Sequence, residues 1–84
     1  MYYVYILKSK ADKALYIGYT ENLRERVEQH NKGKTKSTKH RIPFELIYYE
    51  AYKNKIDARK REIELKNNSY RKEQLLKRLE NSLQ

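Results

Sequence analysis

Tyr2 to Leu7 is the stretch that most narrows the folds open to this chain. Tyr3, Tyr5 and Leu7 alternate with Tyr2, Val4 and Ile6, and a period of two puts the two sets on opposite faces of an extended strand. The β-branched and aromatic content favours that strand, and both faces ask for at least partial burial. Lys8 to Lys13 is polar and turn-forming, after which Ala14 to Gly18 resumes strand character. The two runs read as an antiparallel hairpin with a loop of several residues, in which Tyr5 and Tyr16 point to the same face of neighbouring strands.

Gly18 ends the second strand, and Thr20 is expected to cap a helix from about Glu21 to Asn31, its hydroxyl accepting from a free N–H of the first turn. Leu23 and Val27 lie one turn apart on the core face, while Asn22, Arg26 and His30 form a polar stripe at i, i+4 and i+8. Residues 31–42 have no hydrophobic periodicity. Lys32, Lys34, Lys36, Lys39 and Arg41 make them a mobile cationic loop suited to phosphate contact. Pro43 precedes a third strand, Phe44 to Ala51, where Phe44, Leu46 and Tyr48 alternate with Glu45, Ile47 and Tyr49.

Asn54, with Asp57 three residues on, opens a second helix to about Lys66. Its Ala58, Glu62 and Leu65 share one stripe, and Ile56 and Ile63 another. A carboxylate between Ala and Leu stands out, because a buried acid is costly without a partner. Ser69 is expected to cap a third helix, about residues 70–82, that packs Leu75, Leu76, Leu79 and Leu83 on one face. The expected fold class is α+β: one domain over residues 1–84, a small three-stranded antiparallel sheet flanked by three helices in the order β-β-α-β-α-α.

At 84 residues the core must be thin, since a chain of this size buries only about 60% of the surface it exposes unfolded. Nine tyrosines against one Phe imply ring bodies in the core with hydroxyl tips reaching polar surroundings. The absence of cysteine excludes disulfides and thiolate metal sites and suits a reducing cytoplasm. Two histidines, His30 and His40, are too few for an imidazole metal cluster. No apolar run approaches a membrane span and the opening residues do not read as a signal peptide, so a cytoplasmic chain without membrane contact is expected. Twenty Lys and Arg against eleven Asp and Glu give a formal charge of +9, which favours a polyanionic partner, nucleic acid first.

Read in order, Tyr3-Val4-Tyr5, Tyr16-Ile17-Gly18, Asn22-Leu23-Arg24-Glu25-Arg26 with His30-Asn31, Tyr48-Tyr49-Glu50, and Ala58 with Arg61-Glu62 and Leu65-Lys66 resemble the GIY-YIG nuclease superfamily. The resemblance spans roughly residues 2 to 66 and includes small stand-alone members and the domain of the excision-repair incision nuclease. It implies the fold already read from the chain and a metal-dependent phosphodiesterase, with Tyr5 and Tyr16 as the paired tyrosines, Arg26 as the phosphate-binding arginine, His30 as an auxiliary group and Glu62 as the single metal ligand. Tyr3 stands where the family name has its first glycine, and Tyr19 stands where relatives often carry Lys or Ser, so a helper cation is missing there. An amide that some relatives use downstream of the glutamate has Asn67, Asn68 and Gln74 as candidates.

Phosphodiester hydrolysis needs an activated water, neutralisation of charge on the phosphoryl oxygens, and help for the departing oxygen. The resemblance implies one Mg²⁺ or Mn²⁺ on Glu62, Arg26 clamping the phosphate through its planar fork, and Tyr5 taking the proton of water with Tyr16 positioning it, the two roles being exchangeable. A phenol of ordinary pKa near 10 is ionised at about one part in a thousand at pH 7, so it must be acidified, and Arg26, the metal and nearby lysines are the expected agents. DNA is the expected partner. A nucleic-acid-binding module with little cleavage of its own, acting with a protein partner or as a homo-oligomer, is the alternative. An interaction domain with no nucleic-acid role is the third reading.

Overall fold

The computed structural model describes residues 1–84. Strands β1 (Tyr2–Ser9), β2 (Leu15–Thr20) and β3 (Phe44–Tyr52) form one antiparallel sheet in the order β2-β1-β3, and helices α1 (Leu23–Asn31), α2 (Lys55–Asn67) and α3 (Ser69–Arg78) cover it, with a 3₁₀ turn at Lys39–Arg41. This is the expected β-β-α-β-α-α order. No helix is long and apolar enough to cross a membrane.

β1 is central, and Val4, Tyr5, Ile6 and Leu7 are each at most 1% exposed. Its two faces open into two separate cores. Val4 and Ile6 join Ile17, Ala58, Leu65 and Leu75 under α2 and α3, whereas Tyr5 and Leu7 join Phe44, with Leu23 and Val27 of α1 packed against them. Fully burying a Val, Ile or Leu side chain contributes roughly 1.5–3 kcal/mol, so the double cover of β1 adds several such contributions to the sheet.

β3 departs from simple alternation. Ile6 pairs with Tyr48 but Leu7 pairs with Leu46, leaving Ile47 as an extra residue at a bulge. The bulge switches the parity of the strand: Phe44 and Leu46 face α1, while Ile47, Tyr48 and Tyr52 pack on the α2–α3 side. Tyr48 is therefore not on the Phe44–Leu46 face. Ile56 and Ile63 point outward, 64% and 56% exposed. The caps also shift. Asn68, not Ser69, caps α3 by accepting from Arg71 N at 3.1 Å, and α3 ends at Arg78, where the N–H of Leu79 bonds back to Leu76 and tightens the last turn. Asn54 caps α2 as expected, accepting from Ile56 N at 2.8 Å.

The parity switch brings Glu50 inside a polar knot between β3 and α2. Tyr48 donates to Glu50 at 2.5 Å, Tyr52 donates to its other oxygen, and Arg61 reaches it through Nε at 2.9 Å and Nη2 at 3.0 Å. Arg61 also pairs with Glu64 at 2.5 Å. Burial alone pushes the Glu50 carboxyl up, but Arg61 and the two phenols more than reverse this and hold it below the usual range. In turn, burial and then the Glu50 carboxylate push Tyr48 up to about 12. Because its folded pKa is depressed, Glu50 contributes stability above the ordinary carboxyl value of 4.5, and that contribution is lost as pH falls through the lowered value. Glu50→Gln should cost about 1.5–3 kcal/mol at pH 7, the range for hydrogen bonds to charged groups. Urea unfolding at pH 7 and pH 3 should show the gap from the intact protein narrowing at the acid end.

Candidate active site

Tyr5 is the site's fixed point, and Gly18 is why. The two residues face each other across β1 and β2, and a Cβ on Gly18 would stand 2.3 Å from the Tyr5 hydroxyl oxygen and 2.4 Å from Cζ. Only glycine lets the ring lie across the neighbouring strand. There the hydroxyl meets His30 Nε2 at 3.0 Å, and His30 Nδ1 meets Thr38 Oγ1 at 2.9 Å. Tyr5, His30 and Thr38 are each at most 1% exposed. Tyr16 joins them on the same face, its ring edge-on to His30 at 5.0 Å and tilted against Tyr5 at 6.3 Å.

α1 delivers His30 through well-defined ends. Thr20 does not cap it: β2 runs on to Thr20, which pairs with Tyr3, so the cap falls to Asn22, whose side chain accepts from Glu25 N at 3.1 Å and donates to the Glu25 carboxylate. Asn22 is thus outside the stripe, and Arg26 and His30 remain one turn apart. At the far end Gly33 takes φ +72°, with Gly33 N bonded to His30 O and Lys34 N to Gln29 O, the bond pair of a Schellman stop. Asn31 then grips the start of β3, donating to Phe44 O at 3.0 Å and accepting from Phe44 N at 2.6 Å.

Both ends of the basic segment are therefore anchored, and it is more ordered than a mobile loop. Thr38 turns inward to His30, and the chain closes through the 3₁₀ turn. Lys32, Lys34, Lys36 and Lys39 remain exposed. Arg41 is drawn away from them, paired with Asp12 at 2.7 Å and lying 5.5 Å from the Phe44 ring.

Burial pushes the Tyr5 hydroxyl up to about 12, with Tyr16 and Glu62 adding to the rise and Arg26 opposing it. The expected acidification by Arg26 is present but is outweighed by desolvation. Burial, then Arg26, brings His30 down to about 4, so the imidazole is neutral at pH 7. Arg26 itself is held above its ordinary range, first by Tyr5. It donates to Gln29 at 3.2 Å and borders a hollow of about 420 Å³ with Tyr19, Thr20, Asn22 and Gln29.

Glu62 lies on the buried stripe of α2 with Ala58 and Leu65, 9% exposed. Its oxygens are met by Arg59 at 3.3 Å and Lys66 at 3.0 Å. Although α2 covers the other face of the sheet, the charge of Glu62 is felt at both Tyr5 and Tyr19. Arg59 also stacks over the Tyr19 ring at 4.7 Å, so α2 brings a cation to the position where Tyr19 supplies none. Of the candidate amides, Asn68 is committed to the α3 cap and Gln74 donates to the Tyr70 hydroxyl at 2.7 Å. Sequence reasoning gave Thr38 no role, and Asn31 none beyond its place in the family motif, whereas the i, i+3 spacing already marks Arg59 as an ion-pair partner of Glu62. Gly33 just past a helix ending in His-Asn was the available signal for a chain reversal; nothing local marks Thr38.

A histidine held neutral by burial makes folding proton-dependent. The folded value of about 4 lies below the ordinary 6.5, so between those values the unfolded chain binds more protons. Stability should then drop as pH is lowered across that window, by on the order of 3 kcal/mol at 1.36 kcal/mol per pKa unit; denaturant midpoints from pH 7 to pH 4 check this. Gly18→Ala should destabilise by about 1–3 kcal/mol through overpacking and displace Tyr5 from His30, measurable as a change in the His30 ring chemical shifts.

The GIY-YIG catalytic domain family matches residues 1–82. A UPF0213 protein of Staphylococcus haemolyticus is 45% identical over 80 residues, 94% of each chain, and one of Clostridium perfringens is 48% identical over 67 residues, 79% of this chain and 71% of that one. The solution NMR structure of a UPF0213 protein from Bacillus halodurans superposes with a TM-score of 0.58 at 41% identity, covering 94% of this chain and 85% of that one. The chain thus shares its fold with these relatives and belongs to the GIY-YIG catalytic domain family of nuclease-type proteins.

Proposed function

We propose that this chain is a metal-dependent nuclease that hydrolyses phosphodiester bonds in DNA or a related nucleic acid. The buried hydrogen bond between Tyr5 and a neutral His30, beside the Arg26 cation, carries the reading: it is a proton-accepting pair next to a phosphate clamp. Arg26 holds the scissile phosphate through its planar guanidinium. Tyr16 lines the same face and orients the attacking water, and Lys32, Lys34, Lys36 and Lys39 take backbone phosphates without reading bases.

The magnitudes favour a relay through Tyr5 over a free phenolate. With Tyr5 at about 12 and His30 at about 4, the gap of roughly eight pKa units is on the order of 10 kcal/mol at 1.36 kcal/mol per unit. A free phenolate does not form in the resting site. Tyr5 instead accepts the proton of water as its own proton passes to His30 Nε2. A phosphate bound at Arg26 offsets part of the positive field that depresses His30, so substrate makes the final acceptor more basic.

Glu62 is the residue that would hold the divalent ion. No group of three or more His, Cys, Asp or Glu side chains is assembled in the protein, and a lone hard carboxylate suits Mg²⁺ or Mn²⁺, which keep most of their waters. Arg59 and Lys66 are about half exposed, so they can yield the carboxylate. When bound, such an ion supplies stabilisation of the charge that builds on the phosphoryl and leaving oxygens.

Arg26→Ala and Glu62→Ala should each lower cleavage by about 10²–10³-fold, the scale for losing one electrostatic stabiliser, with unchanged circular dichroism. Cleavage of structured and single-stranded substrates by both variants at the intact protein's rate, in Mg²⁺ or Mn²⁺, would sink the mechanism. Binding that weakens steeply with salt, without cleavage across the same panel, would mark a nucleic-acid-binding module.

A further inference from the structure

We infer that Thr38 is a positioning residue: its hydroxyl oxygen takes the Nδ1 proton of His30 and so leaves Nε2 free to receive the proton of Tyr5. The inference rests on the proposed nuclease reading only for its use in catalysis; the tautomer itself follows from hydrogen-bond accounting.

The Tyr5 hydroxyl carries one hydrogen, and the acceptor within reach of it is His30 Nε2. Arg26, which also acts on this hydroxyl, is a donor only. Were Nε2 protonated, the Tyr5 hydrogen would be stranded in a site 1% exposed, and a buried unsatisfied donor is unfavourable. Nε2 therefore accepts, and in a neutral imidazole the proton must then sit on Nδ1. Its partner is Thr38 Oγ1 at 2.9 Å. The single hydrogen of Thr38 has its own acceptor, the Thr35 carbonyl at 3.4 Å, so its oxygen lone pairs are turned to the ring. Phe44 and Tyr16 stand edge-on to the imidazole, and neither accepts from Nδ1.

The segment that carries Thr38 is built to hold it there. Gly33 reverses the chain directly after α1, Thr38 N bonds to Thr35 O at 3.0 Å, and Arg41 N bonds to Thr38 O at 2.9 Å. When His30 takes the Tyr5 proton at Nε2, both ring nitrogens become donors, Nδ1 still to Thr38 and Nε2 to the Tyr5 oxygen, so no bond in the chain has to be remade. A valine at 38 keeps the shape but removes the acceptor. It leaves either Nδ1–H or the Tyr5 hydrogen without a partner.

The test uses the full chain with ¹⁵N-labelled histidine in a His40→Gln background, so that His30 gives the only imidazole signals. Long-range ¹H–¹⁵N correlation at pH 7 should show Nδ1 protonated and Nε2 unprotonated. Thr38→Ser should keep that pattern, and Thr38→Val should move it toward Nε2–H or a mixture. In cleavage assays Thr38→Val should lower kcat about tenfold or more with KM unchanged, and Thr38→Ser should restore it. An Nε2–H tautomer in the parent protein, or an unchanged tautomer in a folded Thr38→Val variant, would overturn the inference. Should Thr38→Val fail to fold, the parent tautomer and the Thr38→Ser pattern still decide. The Nδ1–H pattern with its loss in Thr38→Val, in a protein that cleaves nothing, would uphold the positioning of His30 and count against the nuclease reading alone.

Discussion

The burial of β1 on both faces is the constraint from which the rest follows. A strand whose alternate residues are all apolar or aromatic must be covered by α1 on one side and by α2 and α3 on the other, and that cover seals the Tyr5 hydroxyl inside the protein. A sealed hydroxyl needs a partner, and the end of α1 supplies His30. The hydrogen bond at the centre of the candidate site is therefore also a condition for closing the core. Gly18 belongs to the same logic, since it is the gap in β2 through which the Tyr5 ring reaches across.

Two acids on this basic chain illustrate how environment divides roles among like groups. Glu50 is locked by Arg61 and two phenols in one knot, and the two tyrosines beside it are thereby held as donors. Glu62 is as buried as a core residue, yet its partners are two long, solvent-facing cations. Ion pairs with exposed partners are weak because water and salt compete for them. One carboxylate is thus part of the frame, and the other is kept available behind cations that can be displaced.

The element order, the two-faced first strand and the buried stripe Ala58–Glu62–Leu65 were legible from the sequence because each rests on a period that the chain displays openly. The site positions Tyr5, Tyr16, Arg26, His30 and Glu62 came from an ordered family resemblance, and the sheet and α1 bring the first four to one face. What the sequence hid was decided by tertiary pairing. Thr20 looks like a cap until β1 is seen to hold it in β2, and Tyr48 looks like a neighbour of Leu46 until the bulge at Ile47 switches the strand. Thr38 is one hydroxyl among several in a lysine-rich run, and only the reversal at Gly33 singles it out.

The two-way grip of Asn31 on the first peptide of β3 turns the basic segment into a closed hoop rather than a strap between two elements. In a hoop whose ends are already fastened, added length costs little: each doubling of a flexible loop adds only about 0.6 kcal/mol of closure entropy. The stretch before Thr38 is then a place where a chain of this architecture can take on extra residues, and new recognition chemistry with them, without disturbing the sheet. Its outer lysines take no part in the packing, whereas Thr38 turns inward to His30.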